Sequence, residues 1–303
     1  MDDLNGSVAS QNDRGPVPAT AALLVAGALL AAAVCLSPGT ARADRLGVTV
    51  SILPQKWMVE AVGGDDIEVM VLVGPGHSPA TYEPTASQMA RLLDSAVFFS
   101  AGVPFENGLL PRLEGQKNGP MIRGPRHASG RNHPDLDPHV WLGFTGAIAL
   151  IDTIRTTLTD LAPARADTWL VRAADAKFAI LQAHAEAKAL LGDCPTREFF
   201  VFHPAFGHFA AAYGLEQVAV EDHGHEPGPR HLAEMIERAK ATGARAIVVQ
   251  PQFSRKSAAA VAEAVEAELV ELDPLAPDVP GNILRIATVL AEVLGCAGDR
   301  NSR

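Results

Sequence analysis

Short apolar runs rich in Val, Ile and Phe alternate with longer amphipathic stretches along most of this chain. Residues 48–53 predict a strand, and Pro54 then opens a helix that stops at Gly63 and Gly64, the Pro-first and Gly-last asymmetry of helix ends. Residues 67–73 predict the next strand, 84–93 a helix, and 97–100 a third strand. After Gly192 the same alternation resumes, with strands expected at 199–202, 215–221, 246–250 and 269–272 and helices at about 230–242 and 256–268. Strands separated by helical stretches are the pattern of βαβ units in a parallel sheet covered on both faces.

Between these halves the pattern changes twice. Residues 114–137 lose their periodic apolar positions to Gly, Pro, Arg, Asn and His, which predicts a surface loop or flap; His127 and His133 lie in it and read as solvated loop residues. Residues 144–161 are amphipathic up to Pro163, and 164–191 form a long Ala-rich helical stretch with Trp169, Phe178 and Leu181 as its apolar stripe. A helix of that length is about 42 Å long at 1.5 Å per residue, enough to join two lobes. The expected organisation is a leader at 1–43, an N-terminal α/β lobe at 44–162, a linking helix at 163–192 and a C-terminal α/β lobe at 193–303.

The leader is read from an apolar stretch at 21–36 after Arg14, followed by Ala41-Arg42-Ala43, which has the small-x-small form of a signal-peptidase site. The stretch is shorter than the roughly 20 residues of a spanning helix, and bulky Val34 before Cys35 argues against lipid attachment. Export places the chain outside the cytoplasm. Formal net charge is −10, and −9 beyond residue 43, since the leader carries Arg14, Arg42, Asp2, Asp3 and Asp13. Such an acidic chain is a poor nucleic-acid binder and a reasonable host for cations. Beyond the leader only Cys194 and Cys296 remain; they are either a disulfide pair or two buried thiols.

Candidate chemistry concentrates in Pro-marked turns: His77 in G-H-S-P, His139 in D-P-H-V-W-L, His203 in F-H-P-A-F and Asp273 in L-D-P-L. Three imidazoles and a carboxylate suit zinc, and their wide separation requires a site assembled by tertiary folding. Ligands in open parallel sheets bind beyond the carboxyl ends of strands, where His77, His203 and Asp273 fall. Four protein donors close a coordination sphere, whereas a catalytic metal keeps an open position. No H-E-x-x-H, G-x-S-x-G, Walker loop or C-x-x-C occurs. His223 and His225, in E-D-H-G-H-E, read as a solvated loop or an auxiliary site. His208 reads as a support for the metal ligands or as exposed, Gln250 as a hydrogen-bond partner of a ligand, and Tyr82 and Glu83 as groups that fix the His77 turn. His184 and His231 fall within helical patterns and receive no metal role.

The ordered set H-S-P-A-T-Y-E-P-T, D-P-H-V-W-L, F-H-P-A-F-G-H-F-A-A-A-Y-G-L, E-P-G-P-R-H-L, Q-P-Q-F-S and L-D-P-L resembles the zinc and manganese solute-binding proteins of ABC importers, over essentially the whole chain past the leader. The resemblance implies two α/β lobes joined by a rigid long helix with the metal in the interlobe cleft. It also implies a monomeric, non-enzymatic receptor that captures zinc outside the membrane and delivers it to a permease. By position His139, His203 and Asp273 match family ligands, and His203 favours zinc over manganese, because manganese receptors carry a carboxylate there. The family's first ligand falls at Ala80, which cannot bind metal, so His77, three residues earlier, becomes the replacement. Alternatives are a manganese or iron receptor of the same fold, a secreted zinc hydrolase and a metal-stabilised adhesin.

Overall fold

The run Phe199-Phe200-Val201-Phe202 shows how the chain is layered. Phe199 and Val201 enter one apolar core while Phe200 and Phe202 enter another, so the segment is buried on both faces. Unbroken apolar strands of this kind belong to parallel sheets sandwiched between helices. The computed structural model describes residues 45–124, 137–221, 228–253 and 255–296; the leader with Cys35, and His127, His133, His223 and His225, lie outside them.

The described residues contain two four-stranded sheets in which every pairing is parallel. The first holds β1 (Leu46–Val50), β2 (Ile67–Val71), β3 (Val97–Phe99) and β4 (Met121–Arg123) in the order β2-β1-β3-β4. The second holds β5 (Glu198–Val201), β6 (Glu216–Ala219), β7 (Ala246–Val249) and β8 (Glu268–Glu271) in the order β6-β5-β7-β8. In chain order the helices are α1 (Leu53–Gly63), α2 (Ala86–Leu93), α3 (Glu106–Glu114), α4 (Phe144–Leu161), α5 (Ala166–Leu191), α6 (Gly207–Ala212), α7 (Pro229–Thr242), α8 (Arg255–Ala264) and α9 (Val279–Leu294). The α/β class, the parallel sheets and the long helix thus agree with the sequence expectation.

Local chemistry explains the boundaries. Thr85 caps α2, its hydroxyl accepting from the Gln88 amide while the Gln88 side chain accepts from the Thr85 amide, which starts the helix at Ala86, two residues after the expected Pro84. Asp278 caps α9 through the Gly281 amide, and Gly295 ends it in the left-handed conformation. Within the expected loop at 114–137 the chain forms β4, a strand of three residues that is too short to show alternation. Pro111 inside α3 likewise masks a helix that the pattern does not single out.

Helix α5 is more than a connector. It packs against α9, α4 and α1, and its buried side, Trp169, Ala173, Ala176, Ile180, Ala183, Ala187 and Leu191, belongs to one core. That core also takes Val48, Val50 and Phe99 from the first sheet and Phe199, Val201 and Val248 from the second. Separate outer cores lie under each sheet's far face, around Phe98 in the first and Phe200 in the second. The described residues therefore form one body with a continuous centre. Cys194, just past α5, is bonded to Cys296, just past α9. Closing that loop of 102 residues contributes about 4.7 kcal/mol in the chain-entropy model. Among the described residues no helix is long and apolar enough to cross a membrane.

The first sheet is closed at its carboxyl end by its own chain. Glu106, in the first turn of α3, is buried, and its carboxylate accepts from the Ser51 hydroxyl, the Ala101 amide at 2.7 Å and the Gly102 amide at 2.9 Å. Gln55 completes the plug, accepting from the Ser51 amide and donating to Ser100 O. Burial pushes the Glu106 carboxyl up to about 7, against the lowering effect of these donors.

Candidate metal centre

The carboxyl end of the second sheet is arranged differently. His203 follows β5 and Gln250 follows β7, the two neighbouring strands at which the strand order reverses. Gln250 is fully buried; its carbonyl accepts from the His203 amide at 3.2 Å and its amide donates to His203 O at 2.6 Å. The backbone of His203 is thus clamped on both sides. Its ring stacks on Phe253, with centroids 4.6 Å apart, and its Nδ1 donates to Glu221 Oε1 at 2.7 Å.

His139 stands beside it, the two ring centroids 5.3 Å apart and the rings inclined by 74°. Its Nδ1 donates to Asp137 Oδ1 at 2.6 Å, and Asp137 also accepts from the His139 amide, an Asx turn that ties the ring to its own loop. Both imidazoles therefore commit Nδ1 to a carboxylate and present Nε2 as the free donor atom. A carboxylate behind a histidine fixes tautomer and ring orientation and makes the free nitrogen a stronger metal ligand. Burial draws the His139 pKa below its ordinary value, Asp137 opposes this, and His203 and His208 add to the lowering. Burial alone would raise the Asp137 pKa, but its hydrogen bond to His139 and their attraction outweigh that and hold it low.

The loop carrying His139 is anchored to the second lobe. The Trp141 indole donates to Pro274 O at 2.8 Å, next to Asp273, and His208 Nε2 donates to Asp137 O at 3.0 Å from α6. Gly207 makes the second approach possible, because a Cβ there would fall 2.6 Å from Asp137 Oδ2. Asp273 is oriented by the Gln252 amide at 2.8 Å and the Leu275 amide at 2.9 Å, both on Oδ1, while Asn282 holds its carbonyl at 3.0 Å.

His77 is placed apart. It is exposed in the turn after β2, its Nδ1 donating to Pro75 O at 3.1 Å and its ring meeting the edge of Tyr82. Tyr82 in turn donates to Gln88, so it does brace the turn, whereas Glu83 is exposed. Among the described residues no three His, Cys, Asp or Glu side chains converge into a cluster able to hold a metal ion. Of the four candidates, the structure pairs His139 with His203, joins Asp273 to their frame through Trp141, and leaves His77 on a turn of its own. The role of Gln250 as a partner of His203 and of His208 as a support behind Asp137 agree with expectation. Asp137 and Glu221 went unnoticed in the sequence, although D-P-H places an acid two residues before a histidine and Glu221 ends an apolar run.

The family described as zinc-uptake complex component A, periplasmic, matches residues 48–287. The chain belongs to this family. A zinc-bound deletion mutant of ZnuA is 32% identical, covers 83% of this chain and 98% of its own, and superposes with a TM-score of 0.76. The zinc-binding lipoprotein AdcA of Streptococcus pneumoniae serotype 4 is 28% identical over 254 residues, 76% of this chain. Our chain spans about half the length of that relative, 50% of it. The periplasmic zinc binding protein TroA from Treponema pallidum, 18% identical with 83% and 99% coverage and a TM-score of 0.75, shares the fold. The family's description names a periplasmic component of zinc uptake, and the fold is the one shared by the superposed ZnuA structures.

Proposed function

We propose that this receptor captures zinc outside the cytoplasmic membrane, after export directed by residues 1–43, and hands it to the permease of an ABC importer. His77, His139, His203 and Asp273 are the donors. The observation that carries the reading is the His139–His203 pair with each Nδ1 bonded to a carboxylate. Two oriented imidazoles favour a borderline ion such as zinc over harder manganese. The relatives' names point the same way, AdcA being zinc-binding and the superposed ZnuA mutant zinc-bound.

In this reading the paired histidines form the landing site, and the ion draws in Asp273 and then the exposed His77 turn. Four protein donors leave no open position for a polarised water, so the reading entails binding without turnover. Calorimetric titration with zinc and with manganese tests it, together with an anomalous-scattering scan of the loaded crystal. One zinc per chain on the four named residues is expected. Tighter binding of manganese, or zinc held elsewhere, would overturn it. For the first donor, His77→Ala should weaken zinc binding, and wild-type affinity in that variant would remove His77 from the shell.

A further inference from the structure

Among the described residues five large apolar side chains are exposed, and four of them lie on α5: Leu170 at 56%, Val171 at 61%, Phe178 at 59% and Leu181 at 47%. Large apolar side chains gathered on one exposed face mark interaction sites. Val171, Ala174, Phe178, Leu181 and Ala185 recur at intervals of three, four, three and four residues, the spacing of a coiled-coil seam, and all five are exposed. The fold itself uses the opposite side of this helix. Nothing in the zinc site calls for the seam.

The charges beside the seam select its occupant. Arg172 is paired with Asp66 and Lys177 with Asp152, so the cations of the first half of α5 are consumed within the chain. Asp167 and Asp175 remain at the exposed amino-terminal half and Lys188 at the exposed carboxyl-terminal end, with no ion pair among the described residues. A parallel copy would set Asp on Asp and Lys on Lys. An antiparallel copy that places Phe178 beside Leu181 of the partner subunit puts Ala174 against Ala185 of the partner subunit. It also brings Lys188 of the partner subunit level with Val171, between Asp167 and Asp175, which lie about one turn to either side. The arrangement repeats itself by two-fold symmetry, as an isologous interface must.

We propose that this face of α5 is an antiparallel homodimer interface. It revises the monomer expected from sequence and is independent of the metal site. A helix pair of this length makes a small interface, so association belongs in the range of roughly 1 µM to 1 mM. Sedimentation velocity across that range should show the mass of the protein rising toward twice that of the monomer. Phe178→Glu should stay monomeric with unchanged thermal melting. Lys188→Glu should weaken association about tenfold, and adding Asp175→Lys should restore it. A monomer throughout the range, or a dimer indifferent to both Phe178→Glu and Lys188→Glu, would overturn the proposal.

Discussion

The two sheets share strand order and parallel sense, and in both the strand order reverses between the two central strands, β1 and β3 in one, β5 and β7 in the other. In the second sheet that crevice is lined by His203 and Gln250, with Asp273 after the next strand. In the first it is filled by Glu106 and Gln55, which bind Ser51, Ser100, Ala101 and Gly102. One crevice holds a side-chain carboxyl of its own chain; the other holds two imidazoles with carboxylates behind them. The same topology thus supports a closed structural joint and, in the function we propose, an open donor site, and the difference lies in a few side chains.

The sharpest way to break the comparison is at the histidines. His203→Ala and His139→Ala should each lower zinc affinity about a hundredfold to a thousandfold, roughly a quarter of the ~10–16 kcal/mol gained by four-ligand zinc sites, with the metal-free fold intact. Unchanged titration curves for both would end the donor assignment. The next effect is in the closed crevice. Because the Glu106 pKa is raised from 4.5 to about 7, its contribution to stability is full below pH 4.5 and is lost as pH rises through about 7. That loss is on the order of 3 kcal/mol, so the stability of wild type relative to Glu106→Gln should fall by that amount across the window in urea unfolding.

Behind the donors, Asp137→Asn or Glu221→Gln should weaken zinc binding by about 10-fold to 100-fold while the protein stays folded. An affinity equal to wild type would show that the carboxylates hold the rings without tuning them. Smallest of all, Ser51→Ala removes one donor to Glu106 and should cost about 1 kcal/mol of stability without touching zinc affinity. A loss of zinc binding in that variant would mean that the two crevices are coupled.

Much of this was legible in the residues themselves. The Phe/Val run at β5, the Pro and Gly punctuation of α1 and the amphipathic span of α4 carry their structures locally, because burial on two faces or one leaves a periodic trace. What stayed hidden depends on distance. Glu106 reads as an ordinary surface acid until α3 folds it beneath Ser51, 55 residues earlier in the chain. Asp137 and Glu221 gain their meaning from imidazoles they orient, and the bond from Trp141 to Pro274 spans 133 residues. His77 was identified by its nearness in sequence to Ala80, which says nothing of where its turn rests.

The continuous core that runs from β1 through α5 to β7 has a consequence for how this receptor would come apart. With Trp169, Ile180 and Phe199 in a single cluster, a denaturant finds no seam along which one lobe could melt and leave the other standing. Unfolding should then appear as one calorimetric transition. An ion bound at the edge of the second sheet should shift that whole transition upward, protecting the distant first sheet as much as its own.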